Sequence, residues 1–143
     1  MVRYAGGKKR ISKEVCDVIQ HIEKELKQES NDYLEPFIGF GAVAIEMMKR
    51  EIEIRHTNPP GINKRPKRNY ILTELNPNMV AFWKELKGKW VPPTKVTSEL
   101  YDKLSKERNN QTKPSAEMAY VGNVFSYNGL FFGGYRGKYQ SPE

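Results

Sequence analysis

The sequence predicts an α/β chain built on short parallel strands, and two stretches carry that prediction. Tyr33-Leu34-Glu35-Pro36-Phe37-Ile38-Gly39-Phe40-Gly41-Ala42 reads as a strand, a glycine turn and an apolar helix running from Gly41 to about Lys49. Tyr70-Ile71-Leu72-Thr73-Glu74-Leu75 reads as a second strand. Behind it Asn76-Pro77 opens a helix, with Asn as N-cap and Pro at the first helical position. Passage from strand to helix through Gly39-Phe40-Gly41 is a turn of the nucleotide-binding type. A Cβ there would keep the backbone off a ligand, and the turn can need positive φ. With 143 residues, 29% of them charged, the chain has room for one domain with a modest core.

In order along the chain, Gly6-Gly7-Lys8 precede a helix predicted from about Ile11 to Gln28. In it Ile11, Val15, Val18, Ile19, Ile22 and Leu26 recur at helical spacing as one stripe to be buried. Two glycines and a lysine ahead of a helix can gather N–H groups and an ammonium around a carboxylate or phosphate. A frayed basic terminus fits the same residues. After the glycine-turn helix, Glu51-Ile52-Glu53-Ile54-Arg55 alternates as a half-exposed strand would. Residues 56–69 carry loop signals, and Lys64, Arg65, Lys67 and Arg68 make them basic, suited to a phosphate backbone or simply to solvent.

Glu74 closes the second strand, where a carboxylate in a doubly wound sheet accepts hydrogen bonds from two ribose hydroxyls. A surface glutamate at a strand end is the plainer alternative. The next helix is expected to bury Met79, Val80, Phe82, Trp83 and Leu86 and to stop at Gly88. Beyond Pro92-Pro93, a helix over Ser98 to Asn109 carries Leu100, Tyr101 and Leu104. An exposed segment from Glu107 to Pro114 leads to a further helix that begins near Ser115 and passes Met118, Val121 and Phe125. From Phe125 to Tyr139 aromatics, glycines and basic residues alternate, with little to build a core. Tyr127-Asn128-Gly129 is a turn signal. Rings interleaved with Arg136 and Lys138 suit stacking on bases with pairing to phosphates, or else a small aromatic cluster under a glycine-rich loop.

The net charge of +7 and a pI near 9.4 favour a polyanionic partner. No apolar run approaches the roughly 20 residues of a membrane span, so no membrane partner is expected. No secretory signal is visible and Cys16 is the single cysteine, so a cytoplasmic, reducing compartment is expected. Cys16 lies in a helical pattern without a nearby histidine and reads as a structural thiol. His21 and His56 have no ligand-spaced companions, so no metal is expected.

Four of these stretches, in the same order, resemble the motifs of the Dam-type adenine-specific DNA methyltransferases of bacteria and phages. Arg3-Tyr4-Ala5-Gly6-Gly7-Lys8 is similar to the family's N-terminal motif, and Leu34 to Ala42 to its cofactor motif. Tyr70 to Asn78 is similar to its acidic second strand with an Asn-x-Asn/Asp helix start, and Tyr127-Asn128-Gly129-Leu130 to its DNA-contacting turn. The resemblance implies an incomplete Rossmann-like S-adenosylmethionine-dependent methyltransferase fold with a helical and loop DNA-recognition segment. Residues 1–90 would be its cofactor-binding portion and 91–143 part of its target-recognition segment. Tyr4, Gly6, Gly7 and Lys8 would then hold the methionine end of S-adenosylmethionine, with Lys8 facing the carboxylate. Glu35, Pro36, Phe37, Gly39 and Gly41 would line the sulfonium and adenosine. Glu74, more often Asp in the family, would bind the ribose hydroxyls. Towards DNA, Tyr127 would wedge into the duplex, Asn128 would contact the pairing base, and Arg3 would reach a guanine edge. Leu130, Arg136 and Lys138 would also touch DNA. A base-reading arginine that some relatives carry two residues past the Asn-Gly-Leu turn is Phe132 here, so no sequence preference carries over.

The family's catalytic tetrapeptide, Asp-Pro-Pro-Tyr, does not occur in the chain. Its chemistry needs an oxygen and a proline carbonyl to accept from the adenine amine while the aromatic ring stacks on the flipped base. Asn58-Pro59-Pro60-Gly61 imitates three letters, but it precedes the ribose-binding strand and ends on a residue that cannot stack. No catalytic residue is therefore assigned. The expectation is an adenine-specific DNA methyltransferase in truncated or split form, inactive alone. Without the catalytic strand, residues 33–37 present an unpaired edge: either a second chain supplies the missing strand, or the late segment covers the edge, or this is a truncated product of a longer gene. The alternatives are a degenerate relative acting as a nucleic-acid-binding or particle-structural protein, and a mononucleotide-binding α/β protein of another kind.

Overall fold

A computed structural model describes residues 7–27, 32–57, 68–110 and 112–139. The chain divides into two units, Gly7–Thr73 and the residues from Glu74 onward. The first holds helix α1 (Ser12–Glu25), strand β1 (Tyr33–Glu35), helix α2 (Ala42–Thr57) and strand β2 (Tyr70–Leu72). The two strands are parallel, with Tyr33 opposite Tyr70, Leu34 opposite Ile71 and Glu35 opposite Leu72. A parallel pair needs a crossover, and α2 supplies it. Strand alternation turns Tyr33, Tyr70 and Leu72 towards Cys16 of α1 and Val43, Ala44 and Met47 of α2. Leu34 and Ile71, on the other face, stay exposed.

Three expectations for this unit are corrected. The buried side of α1 is Ser12 and Cys16, flanked by Val15 and Ile19, while Ile11, Val18, Ile22 and Leu26 remain exposed. Polar clamps set the helix's rotation. Arg50 of α2 donates to Asp17 Oδ1 (2.7 Å), Gln20 Oε1 (2.9 Å) and Lys13 O (3.0 Å), which draws the neighbouring row of α1 inward. Glu51 to Arg55 is not a strand but a continuation of α2 to Thr57. No glycine or proline interrupts the helix there, and two isoleucines two residues apart are too few to impose a strand period.

Arg68 is likewise not a solvated or phosphate-facing cation. It is buried, bidentate to Glu23 of α1 (2.6 and 2.9 Å) and 3.0 Å from Glu51 of α2. Lys64, Arg65, Lys67 and Asn58 to Gly61 lie outside the described residues.

The second unit holds helices α3 (Pro77–Leu86), α4 (Ser98–Glu107) and α5 (Ala116–Val124), then 3-10 turns at Tyr127–Gly129 and Arg136–Tyr139. Each helix begins on a side-chain cap: Asn76 accepts from Asn78 N, Thr97 from Leu100 N and Ser115 from Met118 N. Met79 and Phe82 are the buried side of α3; Val80 and Trp83 are half-buried and Leu86 is exposed. The Phe82 ring stacks on Tyr120 of α5, with Trp90 edge-on to both.

The segment after Phe125 does build core, contrary to expectation. Phe132 joins Val96, Tyr101, Leu104, Met118 and Val121 in one cluster, with Phe125 and Tyr135 against it. Glycines let the chain fold back far enough to insert these rings. The result is a helix-rich α/β chain whose sheet, among the described residues, has two parallel strands. It is compatible with a partial methyltransferase fold.

Candidate functional site

The turn after β1 gathers Glu35, Pro36, Phe37, Gly39 and Gly41. Glu35 Oε2 accepts from the Tyr33 hydroxyl (3.1 Å) and from Ala44 N (3.2 Å), so this carboxylate caps the first turn of α2. Burial, and then the Glu35 carboxylate, push the Tyr33 phenol well above its ordinary range, which keeps it a donor. Thr73, just past β2, locks the turn from the side. Its N–H donates to Glu35 O (3.0 Å), its hydroxyl to Pro36 O (2.7 Å), and its carbonyl accepts from Ile38 N (3.0 Å). Gly39 (φ 50°) and Gly41 (φ 69°) occupy the left-handed region, which is the physical reason for glycine at both. Both are buried, whereas the Phe37 ring is 61% exposed and open to a stacking partner. Gly7 and Lys8 are exposed just ahead of α1, where Lys8 O accepts from Ile11 N (3.0 Å). Arg3, Tyr4 and Gly6 lie outside the described residues.

Glu74 opens the second unit. It is half-buried, and its Oε1 accepts from Asn76 N (3.0 Å), which orients the start of α3. Asn76 caps Asn78 N, and Asn78 Oδ1 in turn accepts from Ser115 N (2.8 Å) at the start of α5. The cap was readable in Asn-Pro. The Asn78 link was not, because its partner lies 37 residues away.

After α5 the chain forms a closed loop. Ser126 and Tyr135 form an antiparallel bridge; Tyr127 N donates to Gly134 O and Arg136 N to Phe125 O, both at 2.8 Å. Asn128 (φ 52°) and Gly129 (φ 69°) turn the chain at the tip. Tyr127, Asn128, Leu130 and Arg136 are exposed on this loop, so four of the residues expected to meet DNA are brought together. Phe131, which sequence reasoning passed over, is exposed beside them, while the adjacent Phe132 is buried with φ 50°. Two neighbouring phenylalanines carry no sequence signal for which faces out. The side chain of Lys138 lies outside the described residues.

Cys16 is fully buried, and burial pushes its thiol up, away from reactivity. Among the described residues no group of three or more His, Cys, Asp or Glu is gathered as for a metal ion. Nor is any helix among them long and apolar enough to cross a membrane.

Comparison with known proteins places these features. A family model described as D12 class N6 adenine-specific DNA methyltransferase matches residues 4–128. That span takes in the glycine turn, Glu74 and the first half of the 127–130 turn, in agreement with the resemblance of the motifs. No curated protein and no solved structure matches the chain. The match extends over most of the 143 residues, and the chain belongs to the D12 class N6 adenine-specific DNA methyltransferase family.

Proposed function

We propose that this chain binds S-adenosylmethionine at the turn after β1 and presents its methyl group to the exocyclic amine of an adenine in DNA. The observation that carries the reading is the turn itself: two left-handed glycines between a parallel strand and a helix start, with an open aromatic ring beside them. Such a turn fits the edge of a nucleoside site, because the two glycines set the path of the chain from strand to helix while the exposed Phe37 supplies a face for the adenine ring. In this reading Lys8, with Gly7, Gly6 and Tyr4, takes the methionine carboxylate. Glu35, Pro36, Gly39 and Gly41 line the sulfonium side, and Glu74 takes the ribose hydroxyls. The cofactor supplies an electrophilic methyl group; the protein's part is to hold it and to exclude competing nucleophiles. Tyr127, Asn128, Leu130, Arg136, Lys138 and Arg3 form the DNA side.

Methyl transfer further requires the Asp-Pro-Pro-Tyr oxygen, carbonyl and ring. Residues 1–143 do not contain them, so in this reading they come from outside this stretch of sequence. Titration calorimetry with S-adenosylmethionine tests the cofactor half: heat is expected for the wild type and at least a tenfold loss of affinity for Gly41→Val, whose side chain does not tolerate positive φ. Labelled-methyl transfer to duplex DNA tests the other half, with product expected only when a polypeptide bearing the tetrapeptide is added. Absence of cofactor binding together with salt-sensitive DNA binding would favour a binding protein over an enzyme.

A further inference from the structure

The loop after α5 is stapled at one point by buried hydroxyls that the proposed reaction does not use. Gly134 N donates to the Tyr101 hydroxyl oxygen (3.1 Å), that oxygen lies 2.6 Å from Ser126 Oγ, and Ser126 Oγ donates to Gly122 O (2.5 Å). A serine hydroxyl has one proton, and Ser126 gives it to the Gly122 carbonyl. The Tyr101 proton therefore goes to Ser126, which leaves the tyrosine oxygen free to accept from Gly134. All protons run in one direction, from the returning limb of the loop through α4 and the outgoing limb into α5. Both hydroxyl residues are only 2% exposed, so a broken link leaves a buried polar group without a partner.

A second anchor adjoins the first. Phe132 N donates to the same Gly122 carbonyl (2.8 Å), and the Phe132 ring meets Tyr101 edge-on at 5.2 Å. A Cβ on Gly122 would stand 2.6–2.7 Å from the rings of Phe131 and Phe132, so only glycine leaves room for them. Between the anchors, residues 127–131 carry the exposed side chains of Tyr127, Asn128, Leu130 and Phe131.

We infer that Tyr101 and Ser126 are positioning residues for DNA engagement, holding 127–131 as a preformed apolar wedge. Neither hydroxyl needs to touch DNA; each acts through the loop, sparing the complex the entropy of ordering it. The inference rests on the DNA-methyltransferase reading above.

A double-mutant cycle on the full chain, read by anisotropy of a fluorescein-labelled mixed-sequence duplex, tests it. Tyr101→Phe keeps the ring in the core and removes the relay, and is expected to weaken duplex binding about tenfold. In a Tyr127→Ala background the same change is expected to cost less than about twofold, because the wedge it positions is already blunted. Ser126→Ala cuts the relay without altering a ring and is expected to give the same pattern. Unchanged affinity in Tyr101→Phe and Ser126→Ala, or equal losses in both backgrounds, would overturn the inference while leaving the function intact. A wild-type chain that does not bind the duplex would overturn the DNA-binding reading itself.

Discussion

Between Gly7 and Thr73, bonds between distant elements are mostly ionic, whereas from Glu74 onward they are aromatic contacts and hydroxyl relays. In the first unit the core cluster among the described residues is Cys16, Tyr33, Val43, Ala44 and Met47, and α1 with its two cap positions leaves four apolar side chains exposed. Arg50 and Arg68 bind α1 to α2, and Arg68 does so from the chain just before β2. In the second unit Phe82, Trp90, Tyr120 and Phe125 form one ring cluster, and Tyr101, Phe132 and Tyr135 another. A thin sheet buries little apolar surface with which to fix the rotation of its helices, so charge pairs fix it, with the Arg68 guanidinium buried and the Arg50–Asp17 pair open to solvent. Rings bury enough to do so themselves, and hydroxyls then need only pin the loops.

The largest effect should follow from taking away the first unit's central cation. Arg68→Ala leaves Glu23 and Glu51 facing each other in a half-buried space and is expected to cost about 3 kcal/mol. Urea unfolding measures it, and hydrogen exchange should show α1 and α2 losing protection first. Gly122→Ala is the counterpart in the second unit. The added methyl group collides with two rings and is expected to cost about 1–3 kcal/mol, with loss of protection centred on α5 and the loop after it. If either variant instead loosened only the other unit's amides, the contrast drawn between the two would fail.

Smaller still, Asn76→Ala removes the cap of α3 and is expected to cost about 1 kcal/mol by the same unfolding assay. The smallest is a slope. Burial raises the Tyr33 and Tyr70 phenols above their ordinary value of 10.0 in the folded state, so folding favours the protonated forms. Their contribution is whole below that pH and is lost as pH rises towards the folded values. Stability should therefore decline above about pH 10, and Tyr33→Phe should flatten the decline.

Much of this was legible in the residues. Asn76-Pro77 marked a helix start because capping is local, and Gly39-Phe40-Gly41 marked a turn because positive φ is a property of single residues. What escaped depends on partners far along the chain. Arg68 looked like one of four loop cations until Glu23, 45 residues earlier, claimed it. The Ile11, Val18, Ile22 and Leu26 row had helical spacing but not the clamp residues on its side. Phe131 and Phe132 were alike as letters, and only the packing of Phe132 against Tyr101 and the second unit's core separates the buried ring from the exposed one.

That packing has a bearing on any attempt to retarget the protein. Installing a base-reading guanidinium at position 132, as though the loop were an interchangeable cassette, would drive a charge into the space between the Tyr101 ring and α5. Under the proposed DNA-binding reading, altered sequence preference is better sought among the outward residues 127, 128 and 130, where new chemistry can be tried without dismantling the platform beneath it.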